Sequence, residues 1–186
     1  INGIGGEADI QDPELVKEAF AYKNGMGGTA VQAALALAMI GGESLVHLTD
    51  DSKEVCEQLI SPYIHVALED GTLGGAEQMP GKNPQECHFI LQFKKGDVIR
   101  LGDQAISIPC SNRLILTKNT VNEILPFWMP YFKWIETHAE QVSTNVLSSF
   151  NSILDIKILE ERLHELEGHP EAHRERPGGD RQPYLR

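Results

Sequence analysis

The apolar and polar positions of this chain change period twice, which divides it into three zones. In residues 1–67 helix-like and strand-like stretches alternate. Asp12-Pro13-Glu14-Leu15 reads as a helix start: Asp caps, Pro takes the first helical position and Glu follows near the positive helix end. That helix ends before Asn24-Gly25-Met26-Gly27-Gly28. A second helix runs from about Thr29 to Ile40. It is rich in Ala and Leu and carries no charge, so it is expected to be buried almost all round. Gly41-Gly42 stops it. Ser44–Leu48 reads as a short strand, Asp51-Ser52 opens a polar helix to about Ile60, and Tyr63–Ala67 reads as another strand. Strands alternating with helices predict an α/β fold with a parallel-type sheet and flanking helices.

The period shortens after a Gly- and Pro-rich loop, Gly71 to Pro84. His88–Phe93, Val98–Leu101, Ala105–Pro109 and Asn112–Leu116 are short strand-like runs. Lys95-Gly96-Asp97 and Gly102-Asp103 punctuate them, which predicts an antiparallel meander. It is too small for a domain and is expected to be an appendage on the α/β body.

The third zone returns to helix and strand. A helix is expected from Asn119 or Thr120, interrupted or restarted at Pro126 and Pro130. Phe127, Trp128, Tyr131, Phe132 and Trp134 form an aromatic group. With few basic residues nearby, it reads as a packing seam rather than a base-stacking platform. Asn145–Phe150 reads as a strand and Lys157–Glu167 as an amphipathic helix. Beyond Gly168 the chain is rich in Pro, Gly, His and Arg, which predicts a surface loop or frayed end. The division is therefore 1–83 and 118–186 for the body and 84–117 for the β appendage, with the tail from about 168.

Composition narrows the function. The 186 residues suit one ordinary domain with an appendage. Lys plus Arg number 16 and Asp plus Glu 27, giving a formal charge of −11, which argues against nucleic acid or an anionic membrane as partner. No apolar run is long enough to span a bilayer. The first residue is Ile1, so a start upstream, or one removed, is expected. Cys56, Cys87 and Cys110 are an odd, widely spaced set with no C-x-x-C, which reads as reduced thiols in a cytoplasmic protein rather than a zinc site.

Three places carry candidate chemistry. The Asn24–Gly28 loop precedes a helix, so backbone N–H groups and the helix dipole face whatever lies in front. It is neither a Walker loop nor G-x-G-x-x-G, and on spacing alone a tight turn before a buried helix is the simpler reading. In His88–Phe93, alternation puts His88, Ile90 and Gln92 on one face and Phe89, Leu91 and Phe93 on the other. A His and a Gln on one face suit a cleft, although a lone strand histidine is more often a satisfied surface residue. Glu7 follows Gly5-Gly6, where a carboxylate can accept hydroxyl hydrogen bonds, against a background of glutamates that are simply solvated.

Two stretches are set aside. Gly178-Gly179-Asp180 and Leu101-Gly102-Asp103 have Pro177 and Arg100 where a Gly-x-Gly-Asp turn needs glycine. His164, His169 and His173, with Pro170 between, lack helical metal-site spacing and read as a charged surface.

Several motifs, in order, resemble the ADP-dependent sugar kinases, meaning ADP-dependent glucokinases and phosphofructokinases. They are Gly5-Gly6-Glu7 through Leu15; Gly27-Gly28-Thr29-Ala30 through Leu48; His88–Phe93 with Gly96; Asn112-Arg113-Leu114; and Ser148-Ser149-Phe150-Asn151. The resemblance spans roughly residues 5–165. It implies a ribokinase-like α/β body with a small antiparallel β lid and a sugar between them. It also implies that Glu7, Gly27, Gly28, Thr29 and His88 bind sugar hydroxyls. Thr29 departs from the amide- or amine-bearing residue common at that point. Asn112 and Arg113 match a lid strand, where Arg113 either serves a sugar phosphate or holds the lid.

The activity implied is transfer of the β-phosphoryl group of Mg-ADP to glucose or fructose 6-phosphate, releasing AMP. The family's catalytic Gly-x-Gly-Asp turn, nucleotide site and first sugar-binding strand do not occur in these 186 residues. The chain is therefore expected to be part of such a kinase, inactive alone, with exposed sheet edges through which it associates with itself. The alternative is a non-enzymatic sugar-binding or assembly module on the same partial fold.

Overall fold

The computed structural model describes residues 6–146 and 150–172. Gly5, Ser148, Ser149, His173 and the Gly178-Gly179-Asp180 stretch lie outside the described residues. The chain divides into two compact units, one formed by 1–24 and 86–120, the other by 25–85 and 121–186.

The first unit is built on a three-stranded sheet. β1 (Gly6–Asp9) lies parallel to the C-terminal strand of the second zone, and the seven-residue strand Cys87–Phe93 lies antiparallel on that strand's other side. α1 (Glu14–Ala19) follows β1, and the Asp12 carboxylate accepts the Glu14 N–H at 3.0 Å.

In the second unit α2 (Thr29–Met39) precedes β2 (Ser44–Leu45). Its end follows the Schellman pattern: Gly42 N–H donates to Leu37 O at 2.9 Å and Gly41 N–H to Ala38 O at 3.1 Å, with Gly41 at φ 77°. α3 (Lys53–Cys56) runs on into a 3₁₀ turn, Glu57–Leu59. β3 (Ile64–Ala67) lies parallel to β2 and antiparallel to β4 (Leu73–Gly74). Their core joins Ala34, Val46, Leu48, Cys56, Leu59 and Ile64. Ile64 and Leu59 are fully enclosed, each side chain contributing about 1.5–3 kcal/mol by leaving water.

The expected four-strand meander is replaced by a different pairing. β5 (Cys87–Phe93) bonds directly to β8 (Asn112–Lys118), while β6 (Val98–Leu101) and β7 (Gln104–Ser107) form a separate two-stranded ribbon. The ribbon is tied off at its base. Ile108 N–H donates to Asp97 O at 2.8 Å and Gly96 N–H to Ile108 O at 2.9 Å, and Ile108 is buried. That closure frees β8 to continue beside β5.

Other expectations are corrected. α2 is not buried all round: only Ala34 is buried, while Leu37 is 42%, Met39 88% and Ile40 82% exposed. A helix without charge is covered only where a neighbour packs, here along the side facing β2 and β3. Residues 46–48 lie beyond the strand, although the Val46 N–H still donates to His65 O at 2.9 Å. The helix expected from Asn119 or Thr120 is a turn in which Val121 O accepts from Ile124 and Leu125. Pro126 disfavours helical backbone at Leu125, which sits at φ 43°. Helix resumes as α4 (Met129–Thr137), with Pro130 in its first turn, where no N–H partner is lost. The strand expected at 145–150 is not formed at 145–146, and Phe150–Ser152 is a 3₁₀ turn.

α5 (Ile156–Glu167) matches the amphipathic expectation and is capped by Asp155, which accepts the Lys157 N–H at 2.8 Å. Phe132 and Ile135 of α4 pack with Leu166 and Ala172, flanked by Phe127, Tyr131 and Trp134. The aromatic group is thus a seam. His169 belongs to it rather than to a charged surface: its ring lies 4.8 Å from Phe132 and Nδ1 meets the Glu136 carboxylate. None of the helices in the described residues is long and apolar enough to cross a membrane.

Candidate functional site

One face of the β1–β8–β5 sheet gathers polar side chains. Paired residues share a face, so the register aligns three rows: Asp9, Thr117 and His88; position 7, Ile115 and Ile90; then Arg113 and Gln92. His88, Ile90, Gln92 and Arg113 are exposed. The opposite rows hold Phe89, Leu91, Phe93, Leu114 and Leu116, all half-buried. The alternation anticipated in β5 is therefore the alternation observed.

Three contacts order this face. Thr117, buried, donates its hydroxyl to Asp9 Oδ1 at 2.9 Å. His88 Nε2 lies 2.8 Å from Asn119 Oδ1. The Glu86 carboxylate accepts both the Thr120 N–H, at 2.8 and 3.0 Å, and the Thr120 hydroxyl, at 2.8 Å. Asn112 falls in the row of Phe93, across the sheet from Arg113, and its amide oxygen accepts the Arg113 N–H at 2.8 Å.

Gly27, Gly28 and Thr29 belong to the second unit. Gly28 caps α2 at φ 86° and ψ 128°, backbone that side-chain-bearing residues rarely adopt. A methyl group added at Gly27 would meet nothing within 4 Å, and one at Gly28 would meet only Val31 Cβ, at 4.0 Å. The loop is open on its outer side. The first intrahelical bond is Gln32 N–H to Gly28 O, 3.0 Å, so the N–H groups of Thr29 to Val31 point out of the helix start. The Gln32 side-chain amide also donates to Met26 O and fixes the loop.

The sequence reading passed over His47. Its Nε2 accepts the Trp128 N–H at 2.8 Å, and its ring sits edge-on to Phe127, Tyr131 and Phe132 at 5.3–6.0 Å. Burial pushes its pKa down to about 4, so it is a neutral joint. Trp128 Nε1–H donates to Ala67 O at 2.7 Å, and Lys82 Nζ lies 5.2 Å from the Trp128 ring. The available signal was a histidine between apolar residues and an aromatic run with no partner yet assigned.

A cavity of about 340 Å³ is lined by Asp51, Cys56, Glu57, Glu77 and Met79. Asp51 is buried, but its carboxylate is taken: it accepts the Asn83 N–H at 2.8 Å and the Lys82 N–H at 3.1 Å. Burial, and then Asp51, push the Cys56 thiol up to about 11, which leaves it unreactive. Among the described residues no group of three His, Cys, Asp or Glu is placed to hold a metal ion.

No family model matches the chain. No curated protein matches it either. Solved structures do. An ADP-dependent phosphofructokinase, described as hypothetical, from Pyrococcus horikoshii OT3 is 19% identical with TM-score 0.59, over 81% of this chain and 36% of that one. A phosphofructokinase from the same organism, with AMP, is 18% identical with TM-score 0.61, over 81% and 36%. The last common ancestor of ADP-dependent phosphofructokinases from Methanosarcinales is 16% identical with TM-score 0.62, over 92% and 39%. The chain spans little more than a third of the length of these structures, and over that third its α/β fold is that of the ADP-dependent phosphofructokinases.

Proposed function

We propose that this chain is the acceptor-binding part of an ADP-dependent sugar kinase with a ribokinase-like body. In this reading the complete protein moves the β-phosphoryl group of Mg-ADP onto a sugar hydroxyl and releases AMP, as a cytoplasmic enzyme of carbohydrate metabolism. The unit holding β5 to β8 is the lid, and the unit holding α2 to α5 belongs to the body. The observation that carries the reading is the exposed sheet face presenting His88, Gln92 and Arg113 in register.

That face offers His88 beside the Thr117-bonded Asp9 carboxylate at one end, and the Arg113 guanidinium with Gln92 at the other. The rows of residues 88 and 92 are separated by about 13 Å of strand. A ligand with hydroxyls at one end and an anion at the other suits it, and a guanidinium pairs well with phosphate. Fructose 6-phosphate is therefore favoured over glucose. Glu7, Gly27, Gly28 and Thr29 are each assigned a sugar-hydroxyl contact in this reading, while Asn112 supports the Arg113 backbone. Among the described residues no cluster of three His, Cys, Asp or Glu is suited to Mg²⁺.

The test is an AMP-formation assay on the complete protein with ADP and either fructose 6-phosphate or glucose. Activity with the phosphorylated sugar is expected. Tight sugar binding without AMP would leave a binding module instead, and neither binding nor AMP would overturn both readings.

A further inference from the structure

Resting on that reading, we propose that Asn119 is a positioning residue for His88: its amide oxygen accepts the His88 Nε2–H, holds the neutral ring in that tautomer and leaves Nδ1 as an acceptor for a ligand hydroxyl. Asn119 Oδ1 stands 2.8 Å from His88 Nε2. An amide oxygen only accepts, so the proton of a neutral ring sits on Nε2 and the lone pair on Nδ1. Nδ1 has no hydrogen-bond partner among the described residues, and His88 is exposed.

The placement of Asn119 is built rather than incidental. β8 ends at Lys118, and Asn119 lies two residues past Thr117, the cross-strand partner of His88. The next residue, Thr120, is held by backbone and hydroxyl to the Glu86 carboxylate, immediately before β5. This clamp joins the entry of β5 to the exit of β8 and sets the backbone from which the amide reaches the ring. The consequence concerns ligand chemistry. A bare Nδ1 takes a hydrogen from a hydroxyl and repels a phosphate or carbonyl oxygen, so the anionic end of a sugar phosphate lies toward Arg113 and a hydroxyl toward His88.

The experiment is nitrogen-15 NMR of histidine-labelled complete protein at a pH where the ring is neutral, with His88→Gln to assign the signal. It is combined with titration of fructose 6-phosphate and of glucose. Wild type is expected to show His88 protonated on Nε2. Asn119→Ala is expected to move the ring toward a mixture of tautomers and to weaken sugar binding roughly threefold to tenfold, the loss of one ordered hydrogen bond. Asn119→Asp, which keeps an acceptor oxygen, is expected to retain the Nε2–H form and most of the affinity. A wild-type ring protonated on Nδ1, or one that does not respond to Asn119→Ala, overturns the proposal. A tautomer that shifts while both affinities stay unchanged overturns the positioning role. If wild type binds neither sugar, the kinase reading fails and the positioning role fails with it, while the tautomer is still read independently. If Asn119→Ala does not fold, Asn119→Leu, which fills the same space without an acceptor, replaces it in both readouts with the same expected and overturning results.

Discussion

Acid should loosen the joint between β2 and α4 through His47, and the size of the effect follows from its surroundings. The ring is neutral because Nε2 accepts the Trp128 N–H and three aromatic rings exclude water from it. Its folded pKa is about 4 against 6.5 for an exposed imidazole. Between those values the unfolded chain takes up a proton that the folded chain refuses, so stability falls as pH falls. The slope is about 1.4 kcal/mol per pH unit and the total about 3–4 kcal/mol, complete below pH 4. The charged groups nearby are Arg162, over Phe127 at 5.9 Å, and Glu136 paired with His169 beyond Phe132. The Tyr131 hydroxyl, its pKa raised by burial, stays neutral throughout. Urea unfolding between pH 7.5 and 4.5 measures the effect, with His47→Gln as reference because its amide oxygen still accepts from Trp128. Subtracting the two profiles removes the carboxylates common to both. The difference should be flat above pH 7 and should narrow as acid destabilises only the wild type. Parallel profiles would refute the argument.

Three further outcomes follow from local geometry. Gly28→Val should lower stability by about 1–3 kcal/mol through backbone strain alone, since open space surrounds the site, and should weaken sugar binding more than that loss accounts for; equal losses in calorimetry would make the loop purely structural. Asp51→Ala should cost about 1–3 kcal/mol in thermal unfolding by leaving the Lys82 and Asn83 N–H groups unpaired, and Asp51→Asn should recover part of it. Residues 1–186 alone should form no AMP from ADP with either sugar; activity abolished by mutating an Asp within this range would overturn the view that the chain supplies only the acceptor site.

Much of the local structure was legible because it depends on short periods. The alternation in His88–Phe93 assigned its two faces, and the apolar spacing of Lys157–Glu167 marked α5, although not the Asp155 cap that starts it. What was not legible depends on partners far away in sequence. β1 pairs with β8 through Asp9 and Thr117, 108 residues apart, and nothing in either strand's pattern names the other. The strands β5 to β8 read as a meander because the tight turn between β6 and β7 does not reveal that Ile108 closes the ribbon. α2 read as enclosed because an uncharged helix looks alike whether one side or both are covered. At the site, alternation already put His88 and Gln92 on one face, but the place of Arg113 on that face needed the β5–β8 register. Asn119 and His47 were invisible for the same reason, since each matters only through a residue brought near by folding.

Calorimetric titration of the complete protein with fructose 6-phosphate and with glucose, for wild type, His88→Ala and Arg113→Gln, tests the proposed role of this sheet face in acceptor binding most directly. With thermal stability unchanged, His88→Ala should weaken both sugars by about 0.5–1.5 kcal/mol. Arg113→Gln should weaken fructose 6-phosphate by about 1.5–3 kcal/mol, the range for a hydrogen bond to a charged group, and leave glucose unaffected. Unchanged affinity for both sugars in both variants would contradict the assignment of this face.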